Sequence, residues 1–464
     1  METELTDLSW LPALSQASGP LYLAIADAIA SDIAAGKLKD GVRLPPHRAL
    51  AKALGIDFTT VSRAYNEARR RGLIEGRVGQ GTYVRARAGR SSSVPGGLVD
   101  MSMNLPPLFD EPAIAERMWR DIAALQGDQG LNLLMRYQAV GGAMRDRAAG
   151  AGWLKPRLVE VAAERVLVCP GAQGALLAIV SVLASKGDRI CAEALTYPGL
   201  RSLAAHLGIH VAAVAMDEHG LLPEAFEAVC LEHRPKALYC NPTLHNPTTA
   251  TLPLKRREAV VAIARRHGVP IIEDDAYGAL PTEPVPPLAA LAPDLVYHVA
   301  GLAKCLSPAL RIAYLVVPET ISTVRLEGAV RATAGMASPL SAAIATRWIE
   351  SGVAEDVLTA IRRETRLRQQ IAAGTFAGAE YLSDGEGFHL WLKLPPAWTR
   401  GEFTARLRTG GVGVVASDVF AVSKPPEAVR VGLGAAETRI ELQRSLRIIA
   451  DLAVQSPAAL TLVV

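Results

Sequence analysis

A chain of 464 residues is too long for one ordinary domain, so two or three are expected. Half of it is hydrophobic and a fifth charged, enough for a large packed core, and 49 Lys+Arg against 46 Asp+Glu exclude a polyelectrolyte spread over the whole chain. Five cysteines (Cys169, Cys191, Cys230, Cys240, Cys305) without C-x-x-C spacing argue against a zinc site or a disulfide framework and fit a reducing cytoplasm. The acidic start, Met-Glu-Thr-Glu, is unlike a secretory leader, and the longest apolar stretch, residues 175–184, is too short to span a bilayer, so no membrane partner is expected.

Charge is uneven along the chain. Residues 20–90 hold 13 Lys+Arg against 6 Asp+Glu, a surplus near +7 that points this part at an anionic partner. Leu21, Ile25, Ile29 and Ile33, four apart, predict one apolar helix face, stopped by Gly36. A second short helix is expected from Ala49 to Leu54, ending at Gly55. Asp57 is placed to cap a third, from Phe58 to Arg71, which stops at Gly72. Two short helices across a Gly turn make a helix-turn-helix unit. Residues 73–84 then read as strand, tight turn and strand, a wing. Arg69, Arg70 and Arg71 close the third helix, where positive charge suits the macrodipole, and are expected to be solvated.

The pieces Pro20-Leu-Tyr, Arg43-Leu-Pro-Pro-His-Arg48-Ala-Leu-Ala, Thr60-Val-Ser-Arg-Ala-Tyr65 and Gly79-Gln-Gly-Thr-Tyr-Val84 together resemble the GntR-type winged helix-turn-helix. That resemblance implies operator DNA as partner. The third helix would enter the major groove with Thr59, Thr60, Ser62 and Arg63 toward the bases, while Arg48 and the wing residues Gly79, Gln80 and Gly81 would meet phosphates or the minor groove. Where the family carries a Ser after Leu-Pro this chain has Pro46, so that contact is not carried over.

Residues 85–98 lose all apolar periodicity and crowd Ser, Gly and Pro, the composition of a flexible linker. Three parts follow from this punctuation: 1–84, a DNA-binding domain; 85–98, the linker; and 99–464, where short apolar runs alternate with amphipathic helices as in an α/β domain. Within it, residues 166–176 read as a strand, a Gly turn (Gly171, Ala172, Gln173, Gly174) and a helix whose first N–H groups suit a phosphate. Residues 269–274 form an apolar strand ending in the carboxylates of Asp274 and Asp275, with Tyr277 close behind. Lys304 lies in an apolar run, with Arg311 seven residues on and a strand-like Ile-Ala-Tyr-Leu-Val-Val after it. An isolated lysine more often snorkels its ammonium to solvent. One held in apolar surroundings loses its proton more easily and can condense with an aldehyde.

Asn246-Pro-Thr, Asp274-Asp-Ala-Tyr277 and Lys304-x(6)-Arg311, in that order, resemble the fold-type I pyridoxal-phosphate (PLP) enzymes, the class I/II aminotransferases. The resemblance implies a large mixed-sheet domain with a small C-terminal domain, PLP as cofactor, and Lys304, Asp274 and Tyr277 as the catalytic set. Lys304 would form the internal aldimine; Asp274 would pair with the pyridine nitrogen and keep it protonated. Asn246 and Tyr277 would bond the ring hydroxylate, and Arg311 would take the phosphate. Tyr197 in Leu195-Thr-Tyr-Pro-Gly199 matches the aromatic stacked on the ring. Tyr137 in Met135-Arg-Tyr-Gln-Ala-Val-Gly-Gly142 matches a residue that reaches the phosphate of the neighbouring subunit, which implies a homodimer. Arg430 in Glu427-Ala-Val-Arg-Val-Gly-Leu-Gly434 matches the arginine that grips a substrate α-carboxylate. Asp275 is expected to be a solvated or capping acid, and His206, His210, His219 and His267 to be surface or core residues. No metal site is expected.

A winged helix joined by a linker to an aminotransferase-like domain resembles the MocR-type bacterial transcription regulators. That implies a homodimer with head-to-tail, exchanged domains, cytoplasmic and nucleoid-associated, binding operator DNA and a small amino compound that forms an external aldimine with PLP. Two other readings stay open: a working PLP-dependent aminotransferase, and a PLP-sensing regulator of vitamin B6 metabolism. Active enzymes of the family carry Ser or Thr three before the lysine and often Ser just before it; Gly301 and Ala303 stand there in this chain. That departure leans against physiological turnover while leaving slow transamination chemically possible.

Overall fold

The computed structural model describes residues 10–12, 20–34, 37–38, 41–71, 73–77, 81–84 and 97–455. It divides into two units, Met1–Pro95 and Gly96–Val464. Gly36, Gly72, Gly79, Gln80 and all but residues 97–98 of the expected linker lie outside the described residues.

In the first unit α1 (Leu21–Ala34), α2 (His47–Leu54) and α3 (Phe58–Arg70) precede the antiparallel pair β1 (Ile74–Arg77) and β2 (Gly81–Val84). The expected apolar face of α1 is present but shorter. Ile25 and Ile29 are fully buried in the core that also holds Val61, Ala64, Tyr65 and Ala68 of α3, while Leu21 and Ile33 stay partly exposed and Ala26 completes the buried stripe. Each such isoleucine contributes about 1.5–3 kcal/mol. α2 ends at Gly55, whose φ of 64° needs a residue without Cβ strain. Asp57 Oδ1 accepts from the Thr59 N–H at 2.7 Å, so the cap of α3 is where the sequence predicts it. Arg69, Arg70 and Arg71 are exposed, as expected; Arg70 pairs with Glu67, and Arg71 with Glu67 and Asp27.

The second unit begins with β3 (Val99–Asp100), α4 (Pro112–Gln129), α5 (Asn132–Met135) and α6 (Met144–Leu154). Its larger part then runs through β4 (Val166–Cys169), α7 (Gly171–Leu183), β5 (Arg189–Glu193), α8 (Pro198–Leu207), β6 (His210–Val214), β7 (Met216–Asp217), β8 (Gly220–Leu221) and α9 (Pro223–His233). β9 (Leu238–Cys240), α10 (Leu254–His267), β10 (Ile271–Asp274), α11 (Leu288–Leu291), β11 (Val296–Gly301) and β12 (Ala313–Val316) complete it. Through α12 (Thr323–Thr333), α13 (Pro339–Glu350) and α14 (Val353–Thr375) the chain reaches β13 (Tyr381–Ser383), β14 (His389–Lys393), α15 (Arg400–Thr409), β15 (Val412–Gly413), β16 (Val415–Ala416), β17 (Ala428–Gly432) and α16 (Arg439–Val454).

The large sheet has the order β4-β12-β11-β10-β9-β5-β6, with β12 antiparallel to its neighbours and the rest parallel. Strand alternation feeds two cores. Ile271, Leu238 and Val296 pack on one face, and Ile272, Tyr239 and Tyr297 on the other. The small sheet, β13-β14-β17-β16, is antiparallel and sets Arg430 of β17 opposite Trp391 and Val415. The five cysteines are buried and unbridged. No helix among the described residues is long and apolar enough to cross a membrane.

Candidate cofactor and ligand site

A parallel sheet gathers chemistry at the carboxyl ends of its strands, where loops leave room outside the edge. Gly171 follows β4, Tyr197 follows β5, Asn241 and Asn246 follow β9, Asp274 ends β10, and Lys304 follows β11. Arg311 immediately precedes the antiparallel β12, so it lies at the same edge. Of the residues expected in the site, Asp274, Arg311 and Arg430 lie close enough to Lys304 to act on its charge, and Asp274 acts likewise on Tyr197 and Tyr277.

Lys304 Nζ donates to the backbone carbonyl of Asn104. Burial, reinforced by the Arg430 guanidinium, pushes its pKa down to about 8. Asp274 Oδ2 accepts from the Tyr239 hydroxyl at 2.7 Å, and its backbone oxygen accepts from Asn241 Nδ2 at 2.6 Å. Its Oδ1 is buried without a partner, and burial pushes the carboxyl up to about 6. A positively charged ring N–H would satisfy that oxygen and pull the carboxyl back down, so this position fits the pyridine of PLP. Asn241 also accepts from the Asn246 N–H at 2.8 Å, bracing the loop that follows β9. Asn246 Oδ1 accepts from Arg430 Nη1 at 2.7 Å.

Tyr277 is buried with its ring edge on Phe388, and its hydroxyl accepts from Asn104 Nδ2 at 2.8 Å; burial raises its pKa. Tyr197 starts α8, half-buried, directly over Gly199, where a Cβ would come within 2.3 Å of the ring. Gln173 Nε2 bonds the Gly199 carbonyl at 3.0 Å. Gly171, Ala172 and Gln173 form the first turn of α7, and Arg311 lies beside it: a Cβ on Gly171 would stand 3.6 Å from the Arg311 guanidinium carbon. Unbonded N–H groups, the positive helix end and a planar guanidinium make a cradle for a phosphate.

Arg430 is 6 % exposed and lies 5.0 Å from the Phe420 ring centroid. Its Nη2 donates to Ser102 O at 2.5 Å, its Nε has no partner, and no carboxylate pairs with it among the described residues. A buried guanidinium with a free Nε is equipped to take a ligand carboxylate. Tyr137, by contrast, is 94 % exposed and reaches none of these groups, in a neighbourhood of exposed Leu131, Leu134 and Met135.

Asp275 corrects the expectation of a solvated or capping acid. It is buried, with Oδ2 3.2 Å from Arg157 Nε and 3.4 Å from His298 Nε2. His298 Nδ1 stands 2.8 Å from Glu273, which also accepts from the Leu288 and Ala289 N–H groups. Glu273 of β10 and Asp275 just past its end point one way and Asp274 the other, so this buried network backs the cleft. Asn104, Tyr239 and His298 escaped sequence reasoning; their only signal is three-dimensional.

In the first unit Arg48 and Thr59 are exposed, and Thr60 and Ser62 half-buried. The Thr59 hydroxyl bonds Asp57 at 2.5 Å and so belongs to the helix cap, and the exposed Arg63 lies 4.4 Å over the Tyr22 ring. Gly81 opens β2 with φ 118° beside Arg43.

Residues 98–449 match the class I and II aminotransferase family, and residues 21–84 match the gntR family of bacterial regulatory proteins. The chain is 31% identical over 449 residues to the uncharacterized HTH-type transcriptional regulator YdeF of Bacillus subtilis, covering 95% of this chain and 96% of that one. It is 28% identical over 333 residues to the probable rhizopine catabolism regulatory protein MocR of Rhizobium meliloti, covering 65% and 66%. In fold it is like LysN, the alpha-aminoadipate aminotransferase of Thermus thermophilus solved with N-(5'-phosphopyridoxyl)-L-leucine, with a TM-score of 0.69, 24% identity, and 81% and 96% of the two chains covered. The chain therefore belongs to the MocR-type transcription regulators of the GntR family, in which a helix-turn-helix unit is joined to a fold-type I aminotransferase domain whose cofactor is pyridoxal phosphate.

Proposed function

We propose that this regulator senses a small amino compound bearing a carboxylate, through PLP held in the aminotransferase-like unit, and answers by changing its affinity for operator DNA. The observation that carries the reading is Arg430, a buried cation without a carboxylate partner among the described residues, in the same cleft as Lys304. When bound, PLP supplies an aldehyde that exchanges between primary amines. Lys304 offers the resident amine, its proton loosened by burial. With PLP bound, Asp274 would offer its unpartnered Oδ1 to the ring nitrogen, Asn246 and Tyr277 would bond the ring hydroxylate, and Tyr197 would stack on the ring. The first turn of α7 with Arg311 would hold the phosphate, and Arg430 would select the ligand's carboxylate. A ligand changes DNA binding only insofar as it binds one arrangement of the molecule better than another.

In this reading the protein is a homodimer with exchanged domains, cytoplasmic and nucleoid-associated. The exposed apolar side chains of Trp119 on α4 and of Leu131, Leu134, Met135 and Tyr137 in and around α5 support pairing with a second copy. Residues 1–84 and 99–464 act as DNA-binding and effector domains, joined by 85–98. Physiological turnover is disfavoured by Gly301. A Cβ there would meet only Ala172 Cβ, at 3.5 Å, so the phosphate cradle has room for a side chain and no hydroxyl in it.

The test uses a DNA duplex selected by the purified protein from random sequence. With PLP present, amino acids should shift the DNA affinity of the wild type at concentrations that leave Arg430→Ala unmoved. An unchanged response in Arg430→Ala contradicts the carboxylate reading and favours sensing of PLP alone.

A further inference from the structure

The two cations of the site are tied to one short piece of chain. Residues 101–106 follow β3 directly, and β3 follows residues 85–98. From this segment Asn104 O accepts from Lys304 Nζ, and Ser102 O accepts from Arg430 Nη2 at 2.5 Å. The Asn104 amide bonds the Tyr277 hydroxyl at 2.8 Å and stands 3.3 Å from His389 Nδ1. The segment is seated on the chain that carries Arg430. Gly432 N–H donates to Met101 O at 2.9 Å. A Cβ on Gly432 would meet Met103 O at 2.7 Å, and one on Gly434 would meet Leu105 O at 1.8 Å, so only glycines leave room for the segment here.

We propose that residues 101–106 are a strap that registers whether Lys304 is a free amine, with Asn104 as its positioning residue, and passes this through β3 toward the DNA-binding unit. The proposal rests on the cofactor reading above. A free lysine offers up to three N–H donors. Condensation with an aldehyde replaces two hydrogens on Nζ by a C=N bond and releases water, leaving one N–H at most, in a direction fixed by the double bond. The Asn104 carbonyl then loses its donor in a buried place, where an unpaired acceptor is costly. When a second primary amine attacks that carbon, Lys304 leaves as the amine, the two hydrogens of the incoming nitrogen pass to Nζ, and the bond to Asn104 can form again. The strap is thus held when Lys304 is free and loosened when it is attached. Arg430 Nε is open for a carboxylate while Nη2 keeps Ser102, so the amine alone operates the strap.

The experiment is hydrogen exchange on the full-length protein, read by mass spectrometry over residues 97–106, with absorbance recorded on the same samples. Three states are compared: protein alone, with PLP, and with PLP plus methylamine, which displaces lysine but carries no carboxylate. PLP is expected to speed exchange of the strap at least threefold, and methylamine to reverse it. Asn104→Ala, compared at PLP concentrations giving equal absorbance, is expected to exchange fast in all three states and to bind DNA equally with and without methylamine. An absorbance change with PLP and no change in strap exchange overturns the strap and leaves the cofactor reading standing; no absorbance change overturns both. Should Asn104→Ala fail to fold, the wild-type series decides.

Discussion

Lys304 is asked to be charged enough to stay soluble in its cleft and neutral enough to react. At a pKa of about 8 the neutral amine at pH 7 is roughly 300-fold more abundant than at an ordinary lysine value. The same depression is a stability statement. Between about 8 and the ordinary value of 10.5 the unfolded chain binds more protons than the folded one, so stability rises with pH across that window. The penalty is fully present below pH 8 and gone above 10.5. Lys304→Met should therefore unfold about 2 °C higher than wild type at pH 7, and the difference should shrink toward pH 10.5 in calorimetric melts. Asp274 has the opposite ionisation and the same direction of strain. Its raised pKa favours the folded state while protonated, and that contribution is lost as pH rises from 3.8 through about 6.

β10 is the element on which both sides of the site depend. Asp274 faces the cleft and bonds Tyr239, while Glu273 and Asp275 face the opposite way into His298 and Arg157. Removing Arg157 leaves Asp275 buried with only the imidazole for support. Arg157→Ala is expected to cost about 3 kcal/mol in denaturant unfolding, with Arg157→Lys recovering part of it. The same strand shows what a sequence can and cannot disclose. The lysine, the aspartate and the loop bearing Asn246 were legible because each motif is local, set by a strand end and its turn. Asp275 was misread because period two sends it away from its neighbour into partners far along the chain. Asn104 was invisible for a related reason: its bond to Lys304 joins residues 200 apart, and nothing in Met103-Asn-Leu-Pro-Pro marks it. The cap and the wing needed no such contact, and Asp57 and the paired strands Ile74–Arg77 and Gly81–Val84 were readable from turn chemistry alone.

At the scale of the whole molecule the question is how many chains make one site. Tyr137 is exposed in its own chain, and the proposed role for it requires a partner. Mixed dimers of Lys304→Ala and Tyr137→Phe chains carry one site with both lesions and one with neither. They should therefore bind PLP at half the wild-type capacity with wild-type affinity, whereas Tyr137→Phe homodimers bind it more weakly. Absence of complementation in a PLP titration means the tyrosine acts within its own chain or not at all. The direct measurement is borohydride reduction of the purified full-length protein with PLP, followed by peptide mapping. The expected result is a single PLP adduct on the peptide bearing Lys304, absent in Lys304→Ala; adducts confined to other lysines, or none at saturating PLP, would contradict it.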